Sequence, residues 1–327
     1  MGAGRLLRFL AQRLAKAAIV VLAIVVFQFV LIRLAPGDPA SVIAGQSGAA
    51  DAEFMAQLRT QFGLDRPLHE QLWIYIKGVL TLDLGFSHRQ QMPVATLILE
   101  RLPATLLLTG AAFLIAITAG VALGVAAARR VGRPTDSLIT VVALTFYATP
   151  IFWVGLLLVL VFSVWLDWLP SFGMYTVGAD LTGFAHALDV GRHLILPAVT
   201  LGLFFLAIYA RLARAAMLEV ADQDFVRTAH AKGVPEGRII RAHVLRNALL
   251  PVITFAGIQA GQLVGGSILV ETVFAWPGIG RLAFDALLQR DYAVLLGVFF
   301  CTAVMVVLFN VITDLLYAVI DPRVEVA

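Results

Sequence analysis

Apolar residues along this chain fall in long continuous blocks, separated by shorter polar stretches, rather than at alternating positions. A helix needs about 20 apolar residues to cross the hydrocarbon core of a bilayer. Six blocks approach that length: Ala15 to Leu34, Leu102 to Ala128, Ser137 to Leu166, Leu194 to Ala210, Ala248 to Val270, and Tyr292 to Thr313. The second and third carry no charge, and the first is interrupted only by Lys16, Gln28 and Arg33. The fourth is short and bounded by His193 and Arg211. A charge at a helix centre costs roughly 2.5 to 3.5 kcal/mol on insertion scales, so clean blocks are what spanning demands. The pattern predicts an all-α integral membrane protein with about six transmembrane helices.

The polar stretches orient the blocks. The N-terminus carries Arg5, Arg8, Arg13 and Lys16 without an acid, and the stretch after the second block carries Arg129, Arg130 and Arg133 against Asp136. After the fourth block come Arg211, Arg214, Arg227, Lys232, Arg238, Arg241 and Arg246. The alternate stretches are poor in basic residues; Asp167, Asp180 and Asp189 face a lone Arg192. Basic loops stay in the cytoplasm, so both termini are expected there. The first block has the charged start and apolar centre of a signal peptide, but it runs into Leu34-Ala35-Pro36 with no small-x-small cleavage site. An uncleaved anchor is expected.

The stretch between the first two blocks is too long for a turn. Asp51 is placed to cap a helix with Phe54, Met55, Leu58 and Phe62 on one face, ending at Gly63. Pro67 is placed to open a second, with Leu68, Leu72, Ile76 and Val79 at helical spacing. Such a helical outer region is either a surface cap packed on the bundle or a docking surface. The chain divides into residues 1–101, an anchor plus this outer region, and 102–327, a membrane core containing a cytoplasmic loop over 211–247.

Composition narrows the function. The chain has 327 residues, 60% of them hydrophobic and 14% charged, where soluble domains carry about a quarter charged. Mean hydropathy is +0.91. The net charge of +3 follows from the basic loops and does not call for nucleic acid. Cys301 is the only cysteine, so neither an intrachain disulfide nor a cysteine metal site is available. None of Lys16, Lys77 and Lys232 is followed by Ser or Thr, which excludes a phosphate-binding loop of the Gly-Lys-Ser/Thr type. No acid or base lies mid-span in the second to sixth blocks, which argues against an ion-coupled carrier. No nucleophile–base motif marks a hydrolase.

Within the fifth block, Gly257, Gly261 and Gly265 recur every fourth residue, a stripe for close helix packing. Gln259 and Gln262 lie on roughly the opposite face. Amides are costly in lipid, so that face either lines a pathway or makes an interhelical hydrogen bond. Asn310 is expected to hydrogen-bond within the bundle. Pro150, Pro197 and Pro251 interrupt or begin spans. In the basic loop, Gly233 followed by Pro235 reads as a helix end, and 238–250 as a helix running into the fifth span.

Strings along most of the chain carry a family resemblance. Arg33-Leu34-Ala35-Pro36-Gly37-Asp38-Pro39 opens the series, followed by Phe62-Gly63-Leu64-Asp65-Arg66-Pro67, Asp83-Leu84-Gly85-Phe86-Ser87 and Glu100-Arg101-Leu102-Pro103-Ala104-Thr105. His243-Val244-Leu245-Arg246-Asn247-Ala248-Leu249-Leu250-Pro251 and Glu271-Thr272-Val273-Phe274-Ala275-Trp276-Pro277-Gly278-Ile279-Gly280-Arg281 come later. Asp314-Leu315-Leu316-Tyr317-Ala318-Val319-Ile320-Asp321-Pro322-Arg323 closes it. In this order they resemble permeases of ATP-binding-cassette importers of the dipeptide/oligopeptide/nickel group, the first permease of each pair. The resemblance implies a type I importer permease fold in a bacterial inner membrane, working by alternating access. It implies a second homologous permease, two ATPase subunits and an external substrate-binding protein as partners. ATP and Mg would sit on the ATPase subunits and no cofactor on this chain.

Importer permeases share a loop pattern of Glu-Ala-Ala, three residues, then Gly. Here Arg227, Thr228 and Ala229 occupy the triplet and Gly233 the glycine, with His230 and Lys232 between them. The Glu is absent and the gap to Pro251 is longer, departures that peptide-group members share. The resemblance makes this loop a coupling helix seated on an ATPase, with Ala229 on the contact face. Charge and periodicity alone establish a basic helical loop. The alternative reading of the whole chain is a self-contained channel or secondary carrier.

Overall fold

The computed structural model describes residues 3–34, 60 and 65–320. Apart from position 60, the helix expected around Asp51 to Gly63 lies outside them. The chain begins with α1 (Ala3–Leu34). Then come α2 (Leu68–Leu80) and a short antiparallel hairpin, β1 (Phe86–Ser87) with β2 (Met92–Pro93). The helix α3 (Val94–Ala128) follows, then α4 (Pro134–Ala148) and α5 (Ile151–Leu158), the last continuing as a π-helical stretch Val159–Trp165. Next are α6 (Gly183–Ala221) and α7 (Asp224–Ala231). A helical turn Glu236–Arg238 and a π-helical stretch Ile239–Leu245 lead into α8 (Arg246–Gly266). The chain closes with α9 (Ile268–Val273), α10 (Ile279–Gln289) and α11 (Tyr292–Ile320). Among the described residues, five helices are long and apolar enough to cross a membrane, six if α4 and α5 together make one span.

Three expectations are revised. The third block is charge-free, yet its two helices meet at 106°. Thr149 is extended, with φ −85° and ψ 136°, and Pro150 caps the helix beyond it. Proline disfavours helical geometry in the residue before it, so the break follows from Pro150. The fourth span is longer than its apolar block, since α6 has 39 residues. At 1.5 Å per residue it measures about 58 Å, roughly twice the hydrocarbon thickness. Arg211 therefore does not end it, and the first part of the basic loop is a continuation of the helix. The second span begins at Val94 rather than Leu102, so the division drawn at residue 101 falls inside a helix.

The centre of the bundle is the pair α3 and α6. Ala112, Ala116, Gly120 and Gly124 recur every fourth residue on α3 and are all buried. A side chain at Gly124 would run into the Ala210 carbonyl, and one at Gly120 into Tyr209 and the Leu206 carbonyl. Small residues here let two backbones meet, the packing that lipid-embedded helices rely on. Leu108, Leu201, Phe205, Tyr209 and Phe274 fill the core around this crossing. α1 sits at the periphery, largely exposed, and touches the rest of the chain through Val25 against Val79 and Phe300 and through Phe29 stacked on Tyr75. The helix opened at Pro67 forms as expected, although Leu68 is exposed and Gln71 takes a buried place.

Candidate functional site

The short helix α7 closes one end of the bundle. Val226 and Ala229 turn inward and pack on Met217 and Val220 of α6, with Ile239 and Val244 from the start of the fifth span. Arg227, Thr228, His230 and Lys232 face out and are exposed. Ala229 is 6% exposed, so it anchors the helix from beneath and does not belong to an outward contact face. The helix ends in a paired turn: Gly233 N–H donates to the His230 carbonyl at 2.9 Å and Val234 N–H to the Ala229 carbonyl at 3.2 Å. Gly233 makes this turn with φ +72°, a region that β-branched residues avoid. Val234 packs back on the same apolar cluster as Ala229, completing the cap. Charges around the helix are loosely paired, with Arg227 and Asp224 at 3.6 Å and His230 and Glu236 at 3.6 Å, all exposed. Geometry of that kind leaves the outward face free for a partner.

The fifth-span residues are spread over several environments. A side chain at Gly257 would collide with Thr313, so this glycine marks the close crossing of α8 and α11. Gly265 faces open space. Gln259 is buried in the bundle, 8% exposed. The surroundings of Gly261 and Gln262 lie outside what the structure describes. Asn310 is exposed, and no hydrogen bond from it is seen among the described residues.

At the opposite end of the bundle lies a carboxylate that the sequence reading passes over, because it stops the fifth block at Val270. Glu271 is fully buried on α9. Its Oε1 accepts hydrogen bonds from Thr105 Oγ1 at 2.8 Å and Ser267 Oγ at 2.9 Å, and its Oε2 accepts from the Arg281 N–H at 2.9 Å. The Gly280 N–H donates to it as well. Thr105 Oγ1 in turn accepts from the Ile279 N–H at 2.8 Å. The first three N–H groups of α10, which lack helical acceptors, are thus all satisfied from outside the helix. Side chains at Gly278 or Gly280 would overlap the carboxylate, which accounts for both glycines. Trp276 is buried beside the knot and donates from Nε1 to the Ala104 carbonyl at 2.8 Å. Burial pushes the Glu271 carboxyl up from its ordinary range, against the pull of these donors.

This knot explains two of the strings noted in the sequence. Pro103-Ala104-Thr105 and Glu271 to Arg281 are one contact in space, separated by 166 positions between Thr105 and Glu271. The available signal was an acid directly after an apolar block, followed by Gly278 and Gly280. Neighbouring segments are tied down as well: Ser87 Oγ of the hairpin donates to Asp291 Oδ2 just after α10, and the Gly173 N–H, in the loop before α6, donates to the Phe274 carbonyl at 2.8 Å.

Comparisons with known proteins agree with this architecture. The profile of the family described as "Binding-protein-dependent transport system inner membrane component" matches residues 120–326, and the N-terminal profile of the same group matches 6–109. The Escherichia coli K12 dipeptide transport system permease protein DppB is 40% identical, covering 98% of this chain and 99% of its own length. The di/tripeptide transport system permease protein DppB of Pseudomonas aeruginosa UCBPP-PA14 is 41% identical with the same coverage. So is the glutathione transport system permease protein GsiC of Salmonella typhimurium LT2, also 41% identical. Among solved structures, a chain of the MetNI methionine ABC transporter in an inward-facing conformation superposes with a TM-score of 0.55 at 19% identity. The match covers 69% of this chain and 96% of that one, a likeness of fold.

Proposed function

The chain belongs to the family of binding-protein-dependent transport system inner membrane components, and from that premise we propose that it supplies half of a translocation pathway for small peptides or peptide-like solutes. It is a multi-pass permease of the ATP-binding-cassette import type. A second homologous permease completes the pathway, two ATPase subunits drive it, and an external binding protein delivers the solute. ATP and Mg bind the ATPase subunits; this chain has no catalytic role and holds no cofactor. The end bearing α7 lies in the cytoplasm with both termini. Dipeptides, tripeptides and glutathione, the solutes named in the relatives, share a peptide backbone with charged ends, and that chemistry is the expected cargo class.

The observation that carries this reading is α7 itself. An eight-residue helix cannot hold its shape alone. It is held by two inward apolar residues and a glycine cap, and it presents a polar, basic upper face. That is how a helix is built to seat in another protein's groove while remaining rigid on its own chain. When the ATPase subunits close on ATP, α7 moves with them and tilts the spans it is attached to, closing the pathway on one side and opening it on the other.

The test is reconstitution in vesicles of the permease pair with its ATPase subunits and binding protein, reading uptake of a labelled dipeptide. Uptake is expected only when every component and ATP are present. Uptake by this chain alone, driven by a solute or ion gradient, would instead make it a channel or carrier. A reporter fused after Lys232 is expected to read cytoplasm; an external reading would reverse the orientation.

A further inference from the structure

The unit around α7 is joined to the bundle mainly by apolar contacts. Met217 and Val220 of α6, Val226 and Ala229 of α7, and Ile239 and Val244 form its core, with Val125 and Ala128 from the end of α3 packed alongside. The third span is attached to it differently, by charge. Asp136 stands on the first turn of α4, and Arg214 stands on α6, about two turns before that helix ends. Arg214 Nε donates to Asp136 Oδ1 at 2.7 Å, and Nη2 donates to Oδ2 at 2.8 Å. Oδ2 also accepts from the Gly132 N–H at 3.2 Å, so the loop before α4 holds the carboxylate from its other side. The Asp136 side chain is 9% exposed and that of Arg214 33%.

A two-pronged guanidinium–carboxylate contact fixes angle as well as distance. The apolar packing beneath α7 ties it to α6; the ion pair ties α6 to the start of α4. The far end of α4 is also attached to α6, through the stacked rings of Tyr147 and Phe204 with centroids 5.5 Å apart. Immediately beyond Tyr147 the chain breaks at Thr149 and Pro150, where α4 and α5 meet at 106°. α4 is therefore tied to α6 at both ends and set apart from α5 by the bend at Pro150.

We propose that the Asp136–Arg214 pair is the strut that carries movement of the α7 unit into the third span, making both residues positioning residues for transport. The proposal rests on the reading of α7 as the element that docks the ATPase subunits. Displacement of α7 moves the end of α6. The pair then draws the start of α4 with it, and the bend at Pro150 lets α4 tilt without dragging α5. Breaking the pair leaves α7 seated on its ATPase and leaves ATP hydrolysis running, while the third span no longer follows.

The test uses the full complex in vesicles and reads three quantities: ATPase subunits retained, ATP hydrolysed, and solute imported per ATP. Asp136→Asn preserves shape and removes the charge; Asp136→Arg and Arg214→Asp reverse it; the double reversal restores an opposed pair. Each single variant is expected to keep its ATPase subunits and to lower import per ATP by about tenfold, with the double reversal recovering most of that loss. Import per ATP equal to wild type in all three single variants would overturn the strut. So would import and ATPase retention falling together at an unchanged ratio, the signature of a merely structural ion pair. Lys232→Glu on α7 tests the underlying reading separately. If that variant keeps both its ATPase subunits and its import, docking through α7 fails, and the strut falls with it.

Discussion

Two carboxylates at opposite ends of the bundle, Glu271 and Glu236, sit in contrasting surroundings. Glu271 has no exposure and accepts from two hydroxyls and two backbone N–H groups, while the glycines beneath it leave no slack. Glu236 stands in the open, 3.6 Å from His230, with 69% of its side chain exposed. In a dry site a charge persists only when nearly every lone pair is matched, and each match fixes a distance and a direction. In water the same charge is already solvated and its partner adds little. The Glu271 end is thus over-determined: α3, α9 and α10 cannot shift relative to one another without stranding polar groups. The α7 end is held by apolar contact, a glycine turn and one two-pronged ion pair, which lets it move as a unit. The proposed docking of ATPase subunits at α7 would act on the adjustable end, leaving the stiff frame at the other.

The strongest way to break the comparison is Glu271→Leu. It strands the N–H groups of Gly280 and Arg281 and removes the acceptor of the Thr105 hydroxyl in a site without exposure. The expected loss is about 3 to 5 kcal/mol, read as a lower unfolding midpoint of the purified permease in detergent. A midpoint equal to wild type would show that the knot is not the stiff element. An intermediate effect is expected for Gly233→Val. No atom lies within 4 Å of where the new side chain would begin, so the cost is the left-handed backbone alone, roughly 1 to 2 kcal/mol. Insertion should survive while peptide uptake and ATPase retention fall. Gly233→Asn, which tolerates that conformation, should lie closer to wild type. Equal behaviour of the two variants would remove the turn from the argument. The smallest effect is expected for Glu236→Gln, which should leave the unfolding midpoint where it is; a drop approaching that of Glu271→Leu would erase the contrast between the ends.

How far the site was legible differs between its parts. The helix end at Gly233 could be read from the chain, because Gly then Pro235 stops a helix whatever surrounds it. The inward turn of Ala229 could not, because on a helix this short the buried face depends on what α6 offers beneath it. The fifth-span glycines drew attention because glycine is conspicuous, yet among the described ones only Gly257 meets another helix closely. The stripe at the centre of the fold, Ala112 to Gly124, mixes alanine with glycine and is diluted by the apolar residues around it. The alternation of apolar blocks and basic loops determined the all-helical, multi-span class, since lipid admits few ways to satisfy a backbone. Pro150 likewise carried its break within the local chain. Only the tertiary structure could decide that Glu271 meets Thr105 across 166 positions, or that Asp136 meets Arg214 across 78. A lone acid beside an apolar run reads the same whether it faces water, a guanidinium or the bare start of another helix. Its role is set by partners distant in the chain, which the packing of α3, α6 and α9 brings to it.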